Sequence, residues 1–255
     1  MDKVVVITGA SSGIGAALAD QSGRRGARCV IAARRAKELE AVAARSGAHA
    51  VVADVTRRPD VQRILDEALA RFGRVDVWVN NAGRGITRSV ADLTDDDLDE
   101  MFAVNVKSAL YGMQVALGHF KTRGAGHIIN VSSLLGRIPF APQRSAYNAA
   151  KHALNALTAS LRMDLRADWP GIHVSLVSPG VVATDFGLHA RGGGVDSRQL
   201  PMAQPPEEVA EVIADVIEHP RGDVYTRPSY RDQVVAYYSA DDLAEALPAP
   251  RPPRP

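Results

Sequence analysis

Tyr147 and Lys151 stand four residues apart in Tyr147-Asn-Ala-Ala-Lys151, the spacing that puts two side chains on one face of a helix. An ammonium beside a phenol favours the ionised phenolate, because a nearby positive charge lowers an acid's pKa. A tyrosine tuned in this way can pass a proton to or from a substrate oxygen, as carbonyl reduction or alcohol oxidation requires. Near the N-terminus, Val4-Val5-Val6-Ile7-Thr8 runs into Gly9-Ala10-Ser11-Ser12-Gly13-Ile14-Gly15. Glycines between an apolar strand and a helix let the backbone turn tightly against a pyrophosphate, and the helix N-terminus supplies amides and a positive dipole. The glycine spacing differs from the Gly-x-Gly-x-x-Gly dinucleotide fingerprint, but its position directly after the first strand supports the same use. The two elements together imply nucleotide-dependent redox chemistry.

Positioning such groups takes a scaffold, and the hydrophobic pattern outlines one. Short Val- and Ile-rich runs at Lys3–Thr8, Arg28–Ala33, Ala48–Ala53, Val75–Val79, Gly126–Ser132, His173–Ser178 and Asp223–Thr226 lack polar alternation, as strands covered on both faces do. Helical patterns fill the intervals at Gly13–Arg24, Ala36–Ser46, Arg57–Phe72, Asp95–Lys121, Ala146–Ala167 and Pro206–Glu218. The alternation predicts an α/β, doubly wound, Rossmann-like parallel sheet of about seven strands with helices on both faces. Thr94-Asp95-Asp96-Asp97 reads as an N-cap with acids in the first helical turn rather than as a metal site. Trp169-Pro170-Gly171 reads as the stop of the Tyr147 helix.

A single domain is expected over 1–240. Within it, 184–204 carries Gly192-Gly193-Gly194 and few core-forming residues, so it reads as a substrate lid that orders on binding. The Pro-rich segment 241–255 reads as a disordered tail.

Composition narrows the function classes. The 255 residues are 46% hydrophobic, enough for one core, and the net charge of +1 gives no reason to expect nucleic acid or an anionic membrane as partner. The apolar run at the N-terminus is a short strand without a basic n-region or cleavage site. No stretch approaches the roughly 20 apolar residues of a membrane span. The single Cys29 sits in an apolar run and reads as a buried, inert thiol, consistent with a reducing compartment. A soluble, cytoplasmic protein is expected. The seven histidines show no metal-ligand spacing, and no metal is assigned.

Thr8-Gly9-Ala10-Ser11-Ser12-Gly13-Ile14-Gly15, Asn80-Asn81-Ala82-Gly83, Ser133, Tyr147-x-x-x-Lys151 and Pro179-Gly180 follow one another in the order seen in short-chain dehydrogenases/reductases. The chain resembles that family over about residues 1–228. The resemblance implies roles for matching positions. Tyr147 is the general acid or base, and Lys151 lowers its pKa and holds the nicotinamide ribose. Ser133 hydrogen-bonds the substrate carbonyl, and Asn105 holds a proton-relay water beside the lysine. Asp54 accepts from the adenine amino group, and Thr184 contacts the nicotinamide carboxamide. The cofactor-binding set it implies is Gly9, Ser11, Ser12, Gly13, Ile14, Gly15, Arg34, Arg35, Asp54, Val55, Asn81, Ala82, Gly83, Tyr147, Lys151, Pro179, Gly180, Val182 and Thr184. One departure is visible: Ser133 stands one residue farther from Tyr147 than the commonest family spacing, and Ser132 is the competing candidate. The match Ser133-Leu134-Leu135-Gly136 favours Ser133.

Cofactor choice turns on Ala32-Ala33-Arg34-Arg35. A fold of this kind that binds NAD places an acid here for the ribose 2′-hydroxyl. This chain has none until Glu38, and guanidinium matches phosphate geometry, so NADP(H) is favoured over NAD(H); the family resemblance implies that Arg34 is the principal contact. The expected activity is hydride transfer between NADP(H) and a ketone, aldehyde or secondary alcohol. The alternative is a catalytically silent nucleotide-sensing or scaffold protein on the same fold; a sugar-nucleotide epimerase or dehydratase fits less well, lacking the larger C-terminal region. Phe140, Phe186 and Leu188 suggest a partly apolar substrate pocket, and Arg144 either meets an anionic substrate or faces water. Small-molecule substrates are the expected partners, and the family resemblance implies a homodimer or homotetramer.

Overall fold

A computed structural model describes residues 1–246. Seven parallel strands, β1 (Val4–Thr8), β2 (Arg28–Ala33), β3 (His49–Val52), β4 (Val77–Asn80), β5 (Gly126–Val131), β6 (Ile172–Ser178) and β7 (Asp223–Tyr225), form one sheet in the order β3-β2-β1-β4-β5-β6-β7. Eight α-helices lie between and after them: α1 (Gly13–Arg24), α2 (Ala36–Ser46), α3 (Arg58–Phe72), α4 (Asp95–Phe102), α5 (Ser108–Arg123), α6 (Ser145–Leu165), α7 (Pro206–Glu218) and α8 (Pro228–Tyr238).

Alternate side chains of each strand enter opposite layers. On β1, Val5 and Ile7 pack with α1, α2 and α7, whereas Val4 and Val6 pack with α3, α5 and the far end of α6. Both faces are therefore buried, which is why the strands read as continuous apolar runs. Cys29 is buried in the first layer, and burial pushes its thiol up to about 12, so it stays protonated.

Three findings depart from the sequence reading. The single helix expected over Asp95–Lys121 is interrupted by a π turn at Ala103–Lys107, centred on Asn105. Helix α8 was not expected; only Tyr230 on it is buried, so it carries no apolar stripe to detect. The segment 184–204 is stitched to the body rather than free along its length. Thr87 N–H donates to Arg191 O, Arg191 N–H donates to Gly85 O, and Val182 pairs with a fully buried Gln204. Of the expected 241–255 tail, residues 241–246 form a turn whose Ala244 reaches the rim of the central cleft; the remainder lies outside the described residues. Among the described residues no helix is long and apolar enough to cross a membrane.

Polar residues inside the sheet are paired. Trp78 Nε1 donates to Asn80 Oδ1 at 2.8 Å, Asn80 Nδ2 to Asn130 Oδ1 at 2.8 Å, and Asn130 Nδ2 to Thr158 Oγ1 at 2.9 Å. This chain ties the carboxyl ends of β4 and β5 to α6 and so fixes the platform beneath the cleft.

His127 on β5 is a second buried polar group. The Ser175 hydroxyl donates to Arg221 O at 2.5 Å, so it must accept from His127 Nε2, 2.8 Å away. Nδ1 is then unprotonated, and it is buried without a partner. Burial, with His173 and Lys3 nearby, drives the imidazole down to about 3. A depressed histidine contributes stability that is present above its unfolded value and lost as pH falls toward the folded one. The protein is expected to lose on the order of 4 kcal/mol between pH 6.5 and 3 from this group alone. Urea denaturation across that range, compared with His127→Leu, checks it: the acid limb should flatten in the variant, and an unchanged limb excludes His127 as its source.

Candidate active site

Strand order reverses between β1 and β4, and in open parallel sheets ligands bind in the crevice outside the carboxyl ends at that point. A cleft of about 1700 Å³ opens there, larger than the roughly 300–1,000 Å³ of a pocket for a drug-sized ligand. Its walls include the β1–α1 loop, the end of β2, Asp54 and Val55, the β4 end at Asn81–Arg84, Ser133–Arg144, Tyr147, Lys151 and the 179–200 segment.

The β1–α1 loop is shaped to receive an anion. Gly9 and Gly13 take positive φ values of 67° and 56°, which side-chain-bearing residues rarely adopt. A Cβ on Gly9 would lie 2.7 Å from Ala82 Cα, so the loop could not close on β4 with any other residue. Ser12 is the N-cap of α1, yet its side chain does not cap the helix amides. The Ser12 hydroxyl instead accepts from Arg35 Nη2 at 2.6 Å, while Arg35 Nε and Nη2 reach Ser11 Oγ at 3.2 and 3.1 Å. The first turn of α1 therefore presents N–H groups without side-chain acceptors, a cradle that suits a dinucleotide pyrophosphate.

The two arginines after β2 differ. Arg34 is exposed and lines the cleft. Arg35 is half-buried, braces the glycine loop and lies 3.8 Å from Asp185. The sequence reading gave Arg34 the leading role, whereas the contacts to the loop belong to Arg35. Asp54 Oδ1 accepts from Thr56 N and Oγ1 at 3.0 and 2.8 Å. Burial raises its pKa, but the Thr56 donors with Arg34 and Arg57 outweigh that and hold it below the usual carboxylate value. Asn81 is a brace: its Nδ2 donates to Thr8 O at 2.9 Å and Gly9 O at 3.2 Å, and its N–H to Thr8 Oγ1 at 3.1 Å.

Tyr147 and Lys151 share a face of α6, with the Lys151 ammonium 5.6 Å from the phenol ring centroid. Lys151 Nζ donates to Val131 O at the end of β5, 3.0 Å away. Burial dominates Tyr147 and pushes it up to about 12, with Ser133 and Arg144 pulling the other way. Burial also pulls Lys151 down to about 8. Desolvation penalises the charged form of both groups, and at about 8 the lysine still carries its proton at pH 7. The cation acting on the phenol is Arg144, which the sequence reading left open between an anion partner and a solvated side chain.

Ser132 and Ser133 both line the cleft but differ in their partners. Ser132 Oγ donates to Asn155 Oδ1 at 2.5 Å, and Asn155 Nδ2 donates to Gly136 O at 2.7 Å, so Ser132 fastens the loop after β5 to α6. The Ser133 hydroxyl lies beside Tyr147 and accepts from Leu135 N at 3.1 Å. Asn105 is buried, and its amide clamps the 84 loop: Oδ1 accepts from Arg84 N at 3.2 Å, and Nδ2 donates to Arg84 O and Met101 O, each at 3.0 Å. A relay water held by that amide, as the resemblance implied, therefore competes with two occupied partners. Thr184 Oγ1 accepts from Phe186 N at 3.3 Å, and the Phe186 ring stands edge-on to Tyr147 with centroids 5.7 Å apart.

Next to the Arg84 end of the cleft lie ion pairs that sequence alone did not suggest. Thr94 and Asp97 form the capping box of α4, and buried Asp97 also receives Arg88 at 2.9 Å and Arg191. Glu100 receives Arg84 and, at 2.5 Å, Arg191. Arg191 so links the 184–204 segment to α4.

A family model described as short chain dehydrogenase matches residues 3–191. The chain belongs to the short-chain dehydrogenase family. An uncharacterized oxidoreductase of Bacillus subtilis (strain 168), YxnA, is 40% identical over 232 residues, which cover 88% of this chain and 65% of that protein. The chain thus spans just under two thirds of that relative's length. A short chain dehydrogenase/reductase from Burkholderia phymatum, solved in complex with NAD, is 28% identical with a TM-score of 0.85, covering 98% of this chain and 97% of its own. An alcohol dehydrogenase from the archaeon Thermococcus sibiricus, complexed with 5-hydroxy-NADP, is also 28% identical, with a TM-score of 0.78, covering 90% of this chain and 98% of its own.

In this short-chain dehydrogenase the buried lysine has a thermodynamic consequence. A lysine depressed to about 8 contributes stability above its unfolded value that is lost as pH falls through the folded one. At pH 7, Lys151→Met should therefore stabilise the cofactor-free protein by on the order of 3 kcal/mol, less what the Val131 O contact contributes. The gain should vanish near pH 10, about where free lysine titrates. Thermal melts of both proteins at the two pH values test it, and a destabilised variant at pH 7 would refute it.

Proposed function

We propose that the chain is an NADP(H)-dependent oxidoreductase that interconverts a ketone or aldehyde and the corresponding secondary or primary alcohol. The observation that carries this reading is the convergence of Tyr147, Lys151 and Ser133 on the same cleft that holds the open N-terminus of α1. The solved relatives with NAD and 5-hydroxy-NADP support a nicotinamide dinucleotide as the cofactor class. The preference for the phosphorylated form rests on Arg34 and Arg35 and on the absence of an acid at the end of β2.

A bound nicotinamide supplies or accepts the hydride. The chain's own residues handle the rest. Ser133 Oγ donates to the substrate oxygen and stabilises the charge that develops there. Tyr147 Oη gives that oxygen a proton in reduction and takes one in oxidation. Lys151, held by Val131 O, fixes the ribose side of the cofactor and supplies positive charge beside the phenol. Phe186 and the ion-paired 184–204 segment keep water from the reacting centre.

Tyr147→Phe keeps the ring and its packing on Phe186 but removes the proton donor. Turnover of a carbonyl panel with NADPH is expected to fall by roughly 10²–10⁴-fold, with NADPH affinity changed little. Near-normal turnover in the variant would show that another group moves the proton. Absence of turnover in the wild-type protein with any carbonyl or alcohol would favour a nucleotide-binding protein without chemistry.

The cofactor preference is read by fluorescence titration of NADPH and NADH. Arg34→Ala should weaken NADPH by about 10–150-fold, the equivalent of one charge-assisted contact, and leave NADH nearly unchanged. Arg35→Ala should weaken both cofactors, because that side chain braces Ser11 and Ser12 around the pyrophosphate. A wild-type protein that binds NADH more tightly than NADPH would overturn the assignment.

A further inference from the structure

Arg84 and Arg144 line the cleft, and Arg88 and Arg191 follow the cleft residues Thr87 and Ala190 in the chain. Arg84, Arg88 and Arg191 meet Asp97 and Glu100, and those two carboxylates are shared among them. Arg144 differs. Among the described residues no carboxylate lies within ion-pair distance of it, and its guanidinium's one hydrogen bond runs from Nη1 to Ile86 O at 3.1 Å. It is half-buried, lines the cleft and precedes Tyr147 by three residues at the start of α6, about one helical turn.

The surroundings are built around that guanidinium. A Cβ on Gly85 would lie 3.0 Å from Arg144 Nη1 and 2.9 Å from Phe186 Cε1, so the loop packs closely on both side chains. Ser145 Oγ donates to Arg88 O at 2.8 Å, and Arg88 N–H donates to Gln143 O at 2.7 Å, fixing the loop to the start of α6 on either side of Arg144. The cleft's own acids are committed elsewhere. Asp54 takes Thr56 at the far end, and Asp185 pairs with His189 at 3.1 Å and Arg35 at 3.8 Å. A partly desolvated arginine without a counter-charge is costly, and a planar anion that accepts its remaining N–H groups removes that cost.

We propose that Arg144 binds a carboxylate of the substrate, so that the alcohol–carbonyl pair handled by this cleft is a hydroxy acid and its oxo acid. The proposal rests on the oxidoreductase reading above and specifies its substrate class. Because Arg144 and Tyr147 lie one turn apart, the carboxylate sits within a few carbons of the reacting carbon. In oxidation the carbinol C–H bond breaks and its hydride passes to the oxidised nicotinamide dinucleotide. The hydroxyl proton passes to Tyr147 and on to solvent, the C–O bond becomes a carbonyl, and the carboxylate is unchanged. Reduction reverses each transfer.

The test compares short 2-oxo and 3-oxo acids with their methyl esters, which keep the carbonyl but lose the negative charge, using NADPH and NADH in turn. Wild-type kcat/KM is expected to favour at least one acid over its ester by about 10–100-fold. Arg144→Gln should lower that acid-to-ester ratio by a similar factor, chiefly through KM, and Arg144→Lys should restore part of it. A role confined to loop structure or to the charge of Tyr147 would change acid and ester alike and leave the ratio intact, which overturns the proposal. So does a wild-type protein that reduces esters or neutral ketones but refuses the acids, and in that case the oxidoreductase reading stands. Failure to turn over any acid, ester, ketone or aldehyde overturns both. Because the wild-type ratio is itself decisive, the test survives an Arg144→Gln variant that does not fold.

Discussion

All seven strands run parallel, so their carboxyl ends share one edge, and the reversal of order between β1 and β4 parts the connecting segments over that edge. Everything of chemical interest hangs on this constraint. The β1–α1 turn brings helix amides to the crevice, β4 brings Asn81 to brace that turn, and β5 brings Val131 O to hold Lys151 and Ser133 to face Tyr147. The Trp78–Asn80–Asn130–Thr158 chain lies directly beneath and ties the ends of the two central strands to the helix that carries the phenol. A shift of one strand would move every one of these groups, because a register slip in a sheet turns each side chain to the other face.

Electrostatics over that platform are governed by desolvation. Tyr147 is held up at about 12 and Lys151 down at about 8, both toward the neutral form that a dry environment prefers. The phenol is therefore neutral at pH 7, whereas the lysine keeps its proton there at a desolvation cost. Around this centre further charges are placed at the rim. Asp97 and Glu100 gather Arg84, Arg88 and Arg191, and the two carboxylates thereby join α4, the 84–88 loop and the 184–204 segment into one wall. Shared carboxylates of this kind confer geometry more than net stability. What they leave over is Arg144.

Much of the scaffold could be read directly from the chain. Strand β2 and helices α1, α2 and α7 fall on the residues where hydrophobic period and turn chemistry put them, because each is decided by contacts within its own few turns. The capping box at Thr94 and Asp97 is equally local, since both partners lie in one helical turn. The shared face of Tyr147 and Lys151 follows from helix geometry alone.

The remainder needed the tertiary structure, and for one physical reason: it depends on groups far apart in sequence. Of two adjacent serines that both line the cleft, Ser132 is the one tied to Asn155, and of two adjacent arginines Arg35 is the one that braces the loop through Ser11 and Ser12. The π turn at Asn105 coincides with an amide that clamps Arg84 across the cleft, and no local pattern records that contact. Helix α8 buries a single residue and so leaves no periodic trace. Sequence determined the elements and the residue types available for chemistry. Burial and charge pairing, which exist only once the chain has closed on itself, decided which of those residues are neutral, which are neutralised and which remain free to meet a substrate.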